Sequence, residues 1–177
     1  MDITAGEIQQ ITTDNGTSVL DLSYDGPVML VFLRHFGCIF CREAMKDIAV
    51  KRKQIEELGN TIVLVHMESN ELAEDYFKKY NLQGVRHVHD PDCDLYRRFG
   101  LTKGSLGQLF GLRTMLRGFS AGISMKQFGG APFGDAFQMP GLFVFNQGKL
   151  VSAFIHEQVS DRPDYVKILE HCRIEDG

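Results

Sequence analysis

Cys38-Ile39-Phe40-Cys41 sets two thiols one helical turn apart, close enough to close and reopen a small disulfide ring. In such a pair one thiolate attacks an oxidised substrate and the second thiol resolves what the first has formed. The thiols also fit two duller roles, an unreactive buried pair or part of a zinc site. Structural zinc takes four ligands. His35, Cys38 and Cys41 would supply three, and no second C-x-x-C or H-x3-H is present, so no metal is expected. His66, His87 and His89 show no metal spacing and read as structural. Cys93 and Cys172 read as core residues, with a resolving thiol as the alternative role.

The flanks say which elements must hold the pair. Val28 to Leu33 is a run of six apolar residues, short enough for a strand buried on both faces of a parallel sheet. Arg34 to Gly37 follow, then the cysteines. Residues 42–59 lack proline, and Cys41, Ala44, Met45, Ile48, Ile55 and Leu58 recur at helical spacing. The dithiol therefore sits where a central strand hands over to a helix. Free N–H groups and the positive end of the dipole at a helix start favour a thiolate. Arg34 flanks the pair. Turned inward it favours the thiolate too, and turned outward it makes a surface salt bridge.

Elsewhere, Glu7–Thr12 and Thr17–Leu22 predict an N-terminal β-hairpin across Asn15-Gly16. Thr61–Val65 and Val85–His89 predict strands. Glu71–Tyr80, Cys93–Phe99 and a segment from Pro163 to about Cys172 predict helices. Leu142–Phe145 and Leu150–Ile155 predict a hairpin. The order is that of an α/β chain with crossover helices. Between Gly100 and Gln138 lie nine glycines, and Lys103, Arg113, Arg117 and Lys126 stand against the single acid Asp135. This stretch reads as an insertion within a single domain spanning 1–177.

With 44% hydrophobic and 24% charged residues, the 177-residue chain can bury a sizeable core. A net charge of -4 gives no reason to expect nucleic-acid binding, and no apolar run reaches membrane-spanning length. The N-terminus lacks the basic and apolar regions of a secretory signal. Four cysteines do not make a disulfide scaffold, so a cytoplasmic location is expected.

Strand, C-x-x-C, helix, strand, helix, then proline, hairpin and helix is the order of the thioredoxin fold, carried here by Cys38, Cys41 and Met139-Pro140-Gly141-Leu142-Phe143-Val144-Phe145. F-L-R-H-F-G-C-x-x-C-R-E, with H-D-P-D-C-D-L-Y-R-R-F-G-L and the glycine-rich insertion, resembles the peroxiredoxin-like group of the AhpC/TSA superfamily, which includes prostamide/prostaglandin F synthase. The resemblance implies an α/β thioredoxin-like fold, a central mixed sheet flanked by helices, with the insertion entering a strand through a cis proline. It also implies that Met139 and Pro140 lie beside the thiols and limit access to them. The peroxiredoxin signature P-x-x-x-T-x-x-C is not matched: its proline falls on Arg34, its threonine on Cys38 and its cysteine on Cys41. The peroxide-polarising arginine before the Gly-Leu-Phe strand falls on Pro140.

The expectation is a thiol-disulfide oxidoreductase that uses Cys38 and Cys41 to reduce a small-molecule peroxide or a protein disulfide. An external thiol such as thioredoxin or glutathione resets it, and no organic cofactor is required. By thioredoxin analogy Cys38 attacks, and by peroxiredoxin analogy Cys41 does, through a sulfenic acid. The insertion is expected to fold over the site and to supply Phe110 and Phe133 as a substrate wall. The rival reading is a redox-silent binding or scaffold protein of the same fold.

Overall fold

The computed structural model describes residues 3–105 and 137–174. Phe110, Phe133 and the expected lid therefore lie outside the described residues. A five-stranded mixed sheet runs in the order β3-β2-β1-β4-β5. Its centre is β1 (Val28–Phe32), every residue of which is buried. β1 pairs in parallel with β2 (Thr61–His66) and antiparallel with β4 (Gly141–Asn146). β3 (Arg86–His89) continues the parallel side, and β5 (Lys149–Ile155) closes the other side as a hairpin with β4. Gln147 and Gly148 both have positive φ at that turn, the conformation that matches the twist of a tight hairpin.

Strand alternation splits the core in two. Met29, Val31 and Leu33 point to one face, where α3 (Ile39–Glu57), α4 (Asn70–Lys79) and α6 (Tyr165–Ile174) cover the sheet. Val28, Leu30 and Phe32 point to the other, covered by α1 (Ala5–Gln9), α2 (Val19–Asp25) and α5 (Asp94–Arg98). The helix starts are written in polar side chains. Ser69 accepts from Leu72 N at the head of α4, and Lys78 and Lys79 sit at its negative end. Asp90 caps α5, its carboxylate taking Asp94 N at 3.0 Å and Leu95 N at 2.8 Å. The second sequence motif is thus the start of α5.

Two expectations are corrected. Ala5–Gln9 and Val19–Asp25 are helices, not the strands of an N-terminal hairpin. Thr4 and Glu7 form a capping box, Ser18 accepts from Asp21 N, Ile8 of α1 and Ile11 just beyond it are buried, and Val19 and Leu22 bury one face of α2. The Asn15-Gly16 turn does form, but it closes only an isolated bridge between Thr12 and Ser18. The Met139–Pro140 bond is trans, as is every peptide bond among the described residues. Trans is the lower-energy form, and the chain enters β4 from a bridge between Lys103 and Gln138, with Met139 N bonded to Thr102 O, so no reversal is required.

Gly26, between α2 and β1, lies against the backbone carbonyl of Gly59 at the end of α3, and a methyl group there would overlap that oxygen. We expect Gly26→Ala to lower stability by about 1–3 kcal/mol through overpacking, read as a lower urea midpoint at unchanged slope.

Candidate active site

The end of β1 is held before the thiols are placed. Leu33 N donates to Val65 O at 2.9 Å, and the hydroxyl of the fully buried Tyr96 donates to Leu33 O at 2.6 Å. The loop then turns over Arg34–Gly37, with Cys38 N bonded to His35 O. Phe36 is fully buried, stacks on Tyr76 at 4.8 Å between ring centroids, and its N–H donates to a carboxylate oxygen of Glu68 at 3.3 Å. Burial raises the Glu68 carboxyl above its ordinary range, against the pull of that N–H.

Cys38 is the N-cap of α3 and makes no capping bond of its own. Its sulfur instead accepts from Arg34 Nη1 at 2.8 Å, while Arg34 Nε donates to Gln138 O at 2.9 Å. Arg34 is only 6% exposed. Of its two possible orientations, the inward one is found, and the guanidinium joins the first cysteine to the segment that leads into β4. Cys41, in the first turn, donates to Arg34 O at 3.3 Å. Burial above all, and then the charge of Cys38, push its thiol far up, with Arg34 only partly opposing. All four cysteines are free thiols. Cys93 faces the α5 side of the sheet and Cys172 the α6 side, both buried.

A small cleft opens on the β4–β5 side of α3, lined by Arg34, Phe40, Cys41, Pro140, His156 and Tyr165 among others. It has room for about two water-sized molecules, the scale of a small peroxide. His156 is kept neutral there, its pKa lowered to about 4 by burial and only partly restored by the Asp161 carboxylate. Cys41 lines this cleft and Cys38 does not, so the cleft and the guanidinium point to different sulfurs. Both sulfurs are buried, Cys41 as a donor to the Arg34 carbonyl and Cys38 as an acceptor from the Arg34 guanidinium.

Pro140 lines the cleft, whereas Met139, next to it in the chain, is buried and is not among the cleft-lining residues. Gln138, Glu68, Tyr96 and His156 were not foreseen. Each acts on the loop or cleft from a distant part of the chain, and no local spacing marks them.

Solved structures similar to this one include proteins named as peroxiredoxins. The Xanthomonas campestris bacterioferritin comigratory protein superposes with a TM-score of 0.67 at 14% identity, covering 100% of this chain and 99% of that one. Peroxidoxin BcpB of Mycobacterium tuberculosis gives 0.62 at 16%, covering 93% and 90%. At these identities the likeness shows a thioredoxin-like α/β fold. The family model for the AhpC/TSA antioxidant enzyme matches residues 47–160, more than half of the chain, and the protein belongs to that family. The match begins beyond both cysteines. Human Peroxiredoxin-like 2C is 29% identical over 72% of this chain and 59% of its own length. The chloroplastic Thioredoxin-like protein AAED1 of Arabidopsis thaliana is 22% identical over 89% of this chain and 66% of its own. The chain spans about three fifths of the length of the Peroxiredoxin-like 2C relatives. No helix among the described residues is long and apolar enough to cross a membrane.

Behind the loop, His66 and His87 belong to one hydrogen-bonded chain. His66 Nε2 and His87 Nδ1 share a hydrogen bond at 2.9 Å, His66 Nδ1 meets Glu68 O at 2.9 Å, and His87 Nε2 meets Glu74 at 3.2 Å. His66 is fully buried, and burial first, then the His87 charge, lower its pKa to about 3. Unfolded, it would take up a proton near 6.5. Stability from this group is therefore complete above pH 6.5 and falls as pH drops toward 3. We expect unfolding free energy to decline over that window, on the order of a few kcal/mol in total, and His66→Asn to flatten the decline.

Proposed function

We propose that the protein is a thiol-dependent peroxide reductase in which Cys38 attacks and Cys41 resolves. The observation that carries this reading is the Arg34 guanidinium on Cys38 Sγ at 2.8 Å, at the head of α3. The Cys38 thiolate attacks the nearer peroxide oxygen and the O–O bond breaks. Cys38 becomes a sulfenic acid, and the other oxygen leaves as an alcohol or water after taking a proton. Cys41 then attacks the Cys38 sulfur, forms the disulfide and releases water. Two equivalents of an external thiol return the pair to dithiol and leave as a disulfide. Arg34 supports the first step by its hydrogen bond to the Cys38 sulfur, which brings a fixed positive charge to the reacting atom. Family membership and the peroxiredoxin fold support the substrate class.

Single-cysteine variants test the order of events. Cys41→Ser should still form a sulfenic acid at Cys38 when treated with hydrogen peroxide, trapped by dimedone, yet fail to turn over with a thiol reductant. Cys38→Ser should do neither. A sulfenic acid found at Cys41 in Cys38→Ser would reverse the assignment. Full thiol counts in the native protein after peroxide would replace it with the redox-silent reading.

Arg34→Met, which keeps length and removes charge, should slow sulfenic-acid formation by about 10²-fold or more, as loss of a charge-stabilising donor does elsewhere. Stopped-flow measurement against hydrogen peroxide checks it, with the pH dependence of the rate separating a change at sulfur from misfolding.

A further inference from the structure

The cleft opens on one flank of α3, and the opposite flank is built differently. Arg42 and Lys46, one turn apart on α3, face Tyr76, Lys79 and Tyr80 on α4. Lys46 Nζ lies 6.0 Å from the Tyr80 ring centroid and Lys79 Nζ 5.9 Å from it, so the two ammonium groups are at most about 12 Å apart. Lys79 also sits 5.6 Å from the Tyr76 ring. Neither lysine has a carboxylate partner among the described residues, although the chain as a whole is acidic. The acids of α3 are turned away: Asp47 bonds Arg162, and Glu43 acts on the same arginine. This flank is continuous with the thiols, since Arg42 Nη2 reaches Gly37 O at 3.5 Å and Tyr76 stacks on Phe36.

We propose that this basic, tyrosine-floored flank is the docking site of the resetting reductant, a tripeptide-sized thiol with a carboxylate at each end, of which glutathione is the type. The inference rests on the dithiol reading given above. Charge selects an anion, and two cations beside one ring select two anionic ends. Three residues of extended chain span about 10 Å, within the largest separation the two ammonium groups can have. The cysteine in the middle of such a peptide then lies over Gly37 and Cys38. Its thiolate attacks Cys38 Sγ, the Cys38–Cys41 bond breaks, and Cys41 leaves and takes up a proton. A second glutathione attacks the glutathione sulfur of the mixed disulfide. Oxidised glutathione departs and Cys38 is again a thiolate, so two electrons and one proton have entered the protein.

Two measurements with Lys46→Glu/Lys79→Glu test this. In the first, the peroxide-oxidised protein is reduced by glutathione and, separately, by uncharged dithiothreitol. The ratio of the two rates should fall about tenfold or more in the variant, the scale of losing charge-assisted hydrogen bonds, and an unchanged ratio overturns the proposal. In the second, S-methylglutathione, which cannot reduce anything, is titrated into the reduced protein by NMR. Shifts at Gly37, Tyr76 and Tyr80 that vanish in the variant support the site. No shifts, or equal shifts in the variant, overturn it even if peroxide proves not to be the substrate. Failure of the native protein to oxidise at all, with binding intact, would fault the reductase reading and leave the docking site standing.

Discussion

A buried guanidinium organises the site. Arg34 is removed from water almost completely, and a buried charge is tolerated only where its hydrogen bonds are satisfied. Its partners include Cys38 Sγ and the carbonyl of Gln138, so one side chain ties the first cysteine to the segment that leads into β4. The two thiols, only three residues apart, play opposite hydrogen-bond roles toward this one residue: Cys38 Sγ accepts from the guanidinium, while Cys41 Sγ donates to the Arg34 backbone carbonyl.

The sheet supplies the rigidity this requires. β1 is flanked on both sides and buried on both faces, so its end cannot drift. Tyr96 crosses from α5, beneath the sheet, to satisfy the Leu33 carbonyl exactly where the ladder stops being able to. Glu68 does the same for the Phe36 N–H from the end of β2. Each of these residues closes a backbone group that the loop leaves open, and together they leave Arg34 with a fixed starting point.

The dithiol, its strand and its helix were legible because they are local: a six-residue apolar run, a C-x-x-C and a proline-free amphipathic segment are read within thirty residues of one another. The direction of Arg34 was not, because it is settled by a carbonyl 104 residues away. The N-terminal segments misled for another reason. Glu7–Thr12 and Thr17–Leu22 carry β-branched residues and flank a real Asn-Gly turn, yet Thr4 and Ser18 cap helices, and packing of Ile8, Ile11, Val19 and Leu22 on the sheet outweighs strand propensity. Pro140 lines the cleft, but no feature of the residues around it marks the isomer of its bond, which only the fold resemblance implied.

The pairing of β1 with β4 also bears on how the chain is made. β1 meets β2 soon after both are synthesised, but its other neighbour begins only at Gly141. Until then β1, the most apolar strand of the sheet, has one open edge on the growing chain, and such an edge is a template for pairing with other chains. The glycine-rich stretch must pass out of the ribosome during that interval, so its length sets how long the edge of β1 stays open on the growing chain.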